Sequence, residues 1–380
     1  MKVNKRRGQG EGSIRQRTDG RWEGRLEAGW SPTGTRRRTS VFGRTRLEVV
    51  AKLRQAQAQA AAGLPMSDGR ATVGVYLTSW LETIRPRLRP ATVARYRGLC
   101  ERQLLPTLGH AKLAKLSPAD VASALAAIQQ AGLSPRTAAH ARAVLRTALS
   151  DAEKWGLLSR NVAKLTDPPR VPRPSPRTLP VEDVHKVLAA VAGTPIDNLV
   201  TLGLWTGMRQ GELLGLRWSD VDIERRHLTV GSALQRLAGV SRLVEPKSER
   251  SRRTLRLSAA AVDALQAERR RQLEAKLAAG PRWRPVIEDL AFTTSVGAPM
   301  LGTTVTRQFQ TALQRAGLER LRFHHLRHLH GSLMLASGVD LATVSHLLGH
   351  SSVQITASTY AGIMPALRDD AVARLEHLMG

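Results

Sequence analysis

The last sixty residues of this 380-residue chain hold seven of its eleven histidines, beside an arginine and a tyrosine whose types together suit phosphate chemistry. The run is Phe323-His324-His325-Leu326-Arg327-His328, followed by Leu348-Gly349-His350 and then Tyr360. Arg327 brings a permanently charged planar fork that matches phosphate oxygens. His324 and His350 can move protons near neutral pH, and Tyr360 carries a hydroxyl that can act as a nucleophile. As a set these groups point to covalent chemistry on a phosphodiester. Taken singly, any of these histidines is more simply a packed or surface residue. His324 and His328, four apart, could share a metal on one helix face. No glutamate stands between them in the zinc-protease pattern, and no cysteine or acidic partner lies nearby, so no metal is expected.

Helical geometry supplies the elements that must position these groups. In a helix starting near His324, Leu326, Leu329 and Leu333 form one apolar stripe, so His324 and Arg327 share a different face, expected to be free to meet a ligand. Asp340 reads as the N-cap of a second helix, Leu341 to Leu348, closed by Gly349 in the left-handed conformation. His350 then follows a helix end directly. Ser351 or Ser352 can cap a third short helix that delivers Tyr360.

A second segment, Thr206-Gly207-Met208-Arg209-Gln210-Gly211-Glu212-Leu213-Leu214-Gly215-Leu216-Arg217-Trp218, completes a pattern. The chain resembles the tyrosine recombinases of the phage integrase family, in particular the lambda type with an N-terminal arm-binding domain. Members carry an arginine in a "TGxRxxELxxLxW" segment, a lysine in a β-hairpin, an "HxLRH" box, an "LGH" box and a terminal tyrosine. The resemblance runs from about residue 72 to 370. It implies that Arg209 and Arg327 are the two catalytic arginines, His324 and His350 the histidines, and Tyr360 the nucleophile. Between Lys186 and Lys276 the one lysine is Lys247, in Glu245-Pro246-Lys247-Ser248. It lies between the strand-like Leu228-Thr229-Val230 and the alternating Arg253-Thr254-Leu255-Arg256-Leu257, where a β-hairpin is expected. The resemblance makes it the catalytic lysine; without the resemblance it reads as a solvated turn residue. His325 departs from the pattern, which usually has an acid there that orients neighbours or fixes the helix start. Leu329-His330-Gly331 departs too, where threonine-histidine-alanine is commoner.

The resemblance further implies cleavage through a 3′-phosphotyrosyl intermediate with neither ATP nor a metal, and so no cofactor. The partners it implies are double-stranded DNA attachment sites and three further copies in a tetramer, with a host DNA-bending protein and an excision factor as accessory candidates. Two other classes stay open. A type IB topoisomerase shares the tyrosine chemistry, and a non-catalytic DNA-binding protein could share the fold, although none of the motif residues is missing.

Composition agrees with a nucleic-acid partner. The formal net charge is +27, from 58 basic and 31 acidic residues, a field that favours phosphate backbones through counterion release and steered association. Charge alone does not separate an enzyme from a repressor. The single cysteine, Cys100, leaves no intrachain disulfide and fits a reducing cytosol; its helical setting reads as core. No apolar signal core opens the chain and no apolar run of about eighteen residues occurs, so a bacterial cytoplasmic protein with no membrane segment is expected.

The expected fold is multidomain: a small N-terminal β-sheet plus helix, an all-α core-binding domain, and a mainly α catalytic domain with a small β-hairpin or sheet. Residues 1–65 read as a small sheet and helix, with Asp19-Gly20 as a hairpin turn before Arg21 to Leu26, a second strand over Arg36 to Phe42, and a helix from Arg46 to about Ala61; the module resembles the arm-type DNA-binding domain of the family. Arg36, Arg37 and Arg38 are candidate DNA contacts there, although a merely solvated basic sheet is the alternative. Residues 72–167 read as helical, and the resemblance makes them the SAM-like core-binding domain. Ser117-Pro118 and Ser134-Pro135 are start signals and Gly132 and Gly156 stops, and Ala138, Ala141, Leu145, Ala148, Leu149 and Ala152 form one stripe. Arg87, Arg89, Arg95, Arg97 and Lys112 are its candidate phosphate contacts. Residues 168–180, six of them proline, form an extended linker to the catalytic domain at 181–380. Near the end, Leu367, Ala371, Leu375 and Leu378 share a helical face that needs a surface to cover, on a neighbouring protomer as the resemblance implies or within the same chain.

Overall fold

The computed structural model describes residues 13–30, 36–61, 71–172, 181–245 and 252–361, with residues 376 and 379. It divides into two compact units, Met1–Arg173 and Pro174–Gly380.

The first unit opens with an antiparallel sheet of β1 (Ser13–Gln16), β2 (Trp22–Trp30) and β3 (Arg36–Gly43), in that order. The Asp19-Gly20 turn forms as expected, with Gly20 at φ 78 and Asp19 Oδ1 accepting from the Arg21 amide at 3.1 Å. Alternation then sorts the faces. Leu26 packs against Leu53 of helix α1 (Arg46–Ala61), and a Cβ on Gly24 would press on Val49 and Leu53. On the other face Glu23 accepts from Arg15 and Arg25, both at 2.8 Å, and from Ser40 at 3.1 Å. Those hydrogen bonds, from Arg25 first and then Arg15, hold its carboxyl down to about 2.

Helices α2 (Val73–Ile84), α3 (Pro90–Leu99), α4 (Leu105–Leu108), α5 (Pro118–Gln130) and α6 (Pro135–Lys154) follow, with a π-turn at Cys100–Leu104. Ser117 and Ser134 cap α5 and α6, each with a proline in the first turn, and Gly132 and Gly156 adopt positive φ just beyond the helix ends. The whole stripe from Ala138 to Ala152 is buried, as is Cys100. The small residues let other helices approach α6 closely, while Leu145 and Leu149 fill the centre beside Trp80 and Leu77. Truncating either leucine to alanine should cost about 2–5 kcal/mol. Residues 167–172 carry no helix or strand, and 173–180 lie outside the described residues.

The second unit contains α7 (Val181–Val191), α8 (Asp197–Thr206), α9 (Gln210–Leu214), β4 (Val221–Asp222), β5 (His227–Val230), β6 (Ala233–Leu237), β7 (Val240–Val244), β8 (Arg253–Arg256), α10 (Ala259–Ala279), α11 (Gly302–Arg315), α12 (His325–Ala336), α13 (Leu341–Leu348) and α14 (Val353–Thr359). Its main core joins Leu199 and Leu202 of α8, Leu213, Leu228, Leu265, Phe292 and Phe309. The expected hairpin needs correction. β5 does pair with β8, with Leu228 opposite Leu255, but they are not consecutive, because β6 and β7 form a separate ribbon between them. Its tight turn at Ala238-Gly239 has φ of 47 and 83, a geometry that matches strand twist. Lys247 therefore follows β7 and precedes β8, in residues 246–251, which lie outside the described residues, as does most of the tail with Leu367, Ala371, Leu375 and Leu378. No helix among the described residues is long and apolar enough to cross a membrane.

Candidate active site

Arg209 is placed by a turn that only glycine can make. Gly207 ends α8 at φ 61, and a Cβ there would sit 2.6 Å from His330 Cδ2 and 2.7 Å from Leu348 Cδ2. Two residues later Arg209 caps α9, and Glu212 reaches back to accept from its backbone amide at 3.0 Å and from its Nη1 at 2.7 Å. Its Nη2 donates to the Gly349 carbonyl at 2.9 Å. The side chain remains 39 % exposed, so its fork can still meet a ligand.

Arg327, in the first turn of α12, is only 2 % exposed. Its Nη1 donates to the Gly207 carbonyl at 2.9 Å and its Nη2 to the Leu348 carbonyl. The expectation that the His324 and Arg327 face lies open is thus corrected at Arg327: the apolar stripe buries Leu326 and Leu329, but α8 and α13 cover the arginine as well. Burial, then Arg209, pushes its pKa down to about 9, and it stays cationic at neutral pH. His325 does take up a helix-start role, its Nδ1 accepting from the Arg322 amide at 3.3 Å. That ring nitrogen accepts where a carboxylate oxygen would.

Asp340 caps α13 by accepting from the Ala342 and Thr343 amides, both at 2.9 Å, and Gly349 ends it at φ 64. His350 follows. Its Nδ1 shares a hydrogen bond of 2.7 Å with the hydroxyl of Thr356, which is wholly buried in α14, and Nε2 is left for a ligand. Burial, then Arg327 and Arg209, lowers His350 to about 4. His324 is exposed at the start of α12, yet packing around its ring, then His328 and Arg327, also lowers it to about 4. Both imidazoles are therefore neutral at pH 7 in the free protein. Arg209 and Arg253 both pair with the buried carboxylate of Glu212, whose charge also reaches Arg327. That surplus of positive charge is what a phosphodiester would offset.

Tyr360 ends α14 and is 4 % exposed. Its hydroxyl donates to the Arg327 carbonyl at 3.5 Å, and its ring stands edge-on to His328 at 6.2 Å. Gly331 makes this position possible, since a Cβ there would overlap the tyrosine hydroxyl. Burial raises the Tyr360 hydroxyl to about 12. Thr356, Glu212 and Arg253 are contributors that the sequence reading did not single out. Glu212 stood in the arginine motif and Thr356 four residues before the tyrosine, but Arg253 carried no signal beyond strand alternation.

The candidate DNA contacts divide differently. Arg87, Arg89, Arg95 and Lys112 are exposed on the first unit. Arg97 is half-buried and paired with Glu82 at 2.7 Å, which lowers its availability for phosphate. Arg36, Arg37 and Arg38 run along β3.

His330 yields a pH prediction. Its Nδ1 donates to the Leu204 carbonyl at 2.9 Å, and burial lowers it to about 4. Against roughly 6.5 in the unfolded chain, the unfolded state takes up the proton first, so stability present above that value is lost as pH falls through the window. At pH 5 this histidine alone should cost about 2 kcal/mol relative to pH 7. Urea titrations at the two pH values check this, and an unchanged difference in His330→Asn would assign the loss elsewhere.

Known proteins share the fold and the family of this chain. The fold is that of solved integrases: an integrase of the Tn1549 transposon in complex with a circular intermediate DNA matches with a TM-score of 0.67 at 20 % identity, over 80 % of this chain and 99 % of that one. A lambda integrase dimer bound to a core site matches at 0.57 and 20 % identity, over 91 % and 93 %. An integrase of Streptomyces ambofaciens is 31 % identical over 97 % of this chain and 96 % of its own length. A XerC-like tyrosine recombinase of Caldanaerobacter subterraneus is 29 % identical over 90 % and 92 %. The phage integrase family matches residues 177–365, and the phage integrase N-terminal SAM-like domain matches 72–125. The chain belongs to the phage integrase family, the tyrosine recombinases that break and rejoin DNA strands. Its fold is accordingly a multidomain integrase fold, mostly helical with small sheets.

Proposed function

We propose that the chain integrates or excises a phage or mobile element at DNA attachment sites, with Tyr360 as nucleophile and Arg209, Arg327, His324, His350 and Lys247 as its catalytic set. One observation carries the residue assignment: Arg209 and Arg327 both donate to the Leu348–Gly349 turn that delivers His350, and Tyr360 packs against the same helix as Arg327. The two guanidinium groups and His350 would hold the non-bridging oxygens as charge builds in the transition state. The Tyr360 hydroxyl must first leave the Arg327 carbonyl, with His324 taking its proton or orienting the phosphate. Attack forms the 3′-phosphotyrosyl ester while Lys247 protonates the departing 5′-oxygen. A 5′-hydroxyl of the partner duplex then reverses the step, conserving the ester energy, so no nucleotide hydrolysis is needed.

Trapping on a nicked suicide substrate, followed by joining of two distinct duplexes, tests this reading. Covalent trapping with relaxation but no joining would favour a type IB topoisomerase, and sequence-specific binding without trapping would favour a non-catalytic protein. Two strand exchanges through a four-way junction call for a tetramer, and a lambda integrase tetramer bound to a Holliday junction shares the fold. The apolar face of the tail would dock on a neighbouring copy, where Val184, Leu188, Leu204, Trp205 and Leu333 line an apolar cavity of about 670 Å³. A host DNA-bending protein and an excision factor complete the proposed partners, in the bacterial cytoplasm.

The domain reading assigns residues 1–65 to arm sites, 72–167 to the core site, 168–180 to a linker and 181–380 to catalysis. Glu23 spreads Arg15 and Arg25 across the sheet face opposite α1, a suitable arrangement for a DNA groove. Deleting residues 1–65 should leave core-site cleavage intact and cut integration on a full attachment site about tenfold or more. Unchanged integration would remove the arm assignment, and a footprint lost uniformly with salt would reduce the module to a phosphate anchor.

A further inference from the structure

Arg253 opens β8 as a cation only 4 % exposed, and no step of the mechanism above uses it. Its Nη2 donates to Glu212 Oε2 at 2.9 Å, its Nη1 to Glu212 Oε1 at 3.5 Å, and its Nε to the Leu347 carbonyl at 2.7 Å. The last carbonyls of a helix have no partners within it. At the end of α13 three consecutive ones are taken by three arginines: Leu347 by Arg253, Leu348 by Arg327 and Gly349 by Arg209. Gly349 is also where a Cβ would lie 3.0 Å from Arg253 Nη1, so the turn before His350 is shaped against this guanidinium. Glu212 is the second shared anchor. Burial would raise its carboxyl, but Arg253 and then Arg209 hold it below the usual range.

We propose that Arg253 is a positioning residue for the phosphate clamp: through Glu212 it sets the fork of Arg209, and through the Leu347 carbonyl it sets the turn that carries His350. The inference rests on reading Arg209 and His350 as phosphate ligands. A planar fork is required, because bonds in two directions from one rigid group exceed what a lysine ammonium can supply in one place. Without it, Glu212 retains Arg209 as its remaining fork partner and draws that guanidinium inward, away from a bound phosphate.

The test uses the full chain carrying Arg253→Lys, with single-turnover cleavage of a suicide substrate whose scissile group is either phosphate or an uncharged methylphosphonate. If Arg253 acts through Arg209, the phosphate reaction should slow about 10²-fold, the scale for one lost transition-state donor, while core-site affinity stays within about twofold. The deficit should shrink about tenfold or more on the methylphosphonate, which presents less charge to stabilise. A purely structural role would slow both substrates equally, and that result, or undiminished phosphate cleavage, overturns the proposal. Arg209→Lys run in parallel separates the two readings. If its deficit also fails to shrink, the clamp assignment itself is wrong; if it shrinks and that of Arg253→Lys does not, only the positioning role falls. Should Arg253→Lys not fold, Arg253→Gln, which leaves the Glu212 carboxylate in place to draw Arg209 inward, takes its place, and the same narrowing is expected of it.

Discussion

Tyr360→Phe should bind core-site DNA as the parent does and leave no covalent complex on a denaturing gel. The change removes one oxygen. In the free protein that oxygen makes a long 3.5 Å bond to the Arg327 carbonyl, so folding should lose about 1 kcal/mol or less. The ring continues to fill the space beside His328 and Gly331. Loss of the attacking atom, by contrast, should lower cleavage on the order of 10⁶-fold, the scale for deleting a covalent nucleophile. Protein still trapped on a nicked site would show that another residue attacks. The burial of Tyr360 adds a kinetic corollary: with its hydroxyl raised to about 12 and sealed under α12, the free protein should react slowly with phenol-directed reagents, and faster once assembled on DNA.

Lys247→Ala should reduce cleavage of an ordinary phosphodiester about 10²- to 10⁴-fold, the usual range for a general acid. On a bridging 5′-phosphorothiolate, whose sulfur departs without a proton, most of that loss should disappear. Arg327→Lys is the contrasting variant. It keeps the charge but loses the fork that bonds the Gly207 and Leu348 carbonyls, and it should stay defective on both substrates. Arg327→Ala is a poorer choice, because two buried carbonyls would lose their donor at about 1–3 kcal/mol each. Equal deficits for Lys247→Ala on the two substrates would remove the general-acid assignment.

Local chemistry made much of this molecule legible. A serine before a proline starts α5 and α6, Asp340 and Gly349 bound α13, and the stripe from Ala138 to Ala152 faces a core. These signals act within one or two helical turns, where capping and periodicity outweigh everything else. The resemblance to the integrase motifs pointed to Arg209, Arg327, His350 and Tyr360, and the structure sets each of them at or near a helix end. The β6–β7 ribbon was hidden, since β5 and β8 pair across an insertion that alternation alone cannot count.

Only the tertiary structure decided exposure and partnership. Arg253 reaches Leu347 across 94 residues, Arg327 reaches Gly207 across 120, and Arg209 reaches Gly349 across 140. A guanidinium in a helix or strand has the same sequence signature whether it faces water or fills a core. Which it does depends on where a distant helix leaves its last carbonyls unpaired. The end of α13 thus gathers three arginines drawn from three separate elements, and packing of Tyr360 with Leu335 of α12 and Val344 and Leu348 of α13 puts it under cover. By itself the sequence determined which chemical groups the protein owns and the local frames that carry them. Their burial, their shared anchor on Glu212 and the protonation of the histidines beside them came from long-range packing, because each depends on distance and desolvation that no short segment contains.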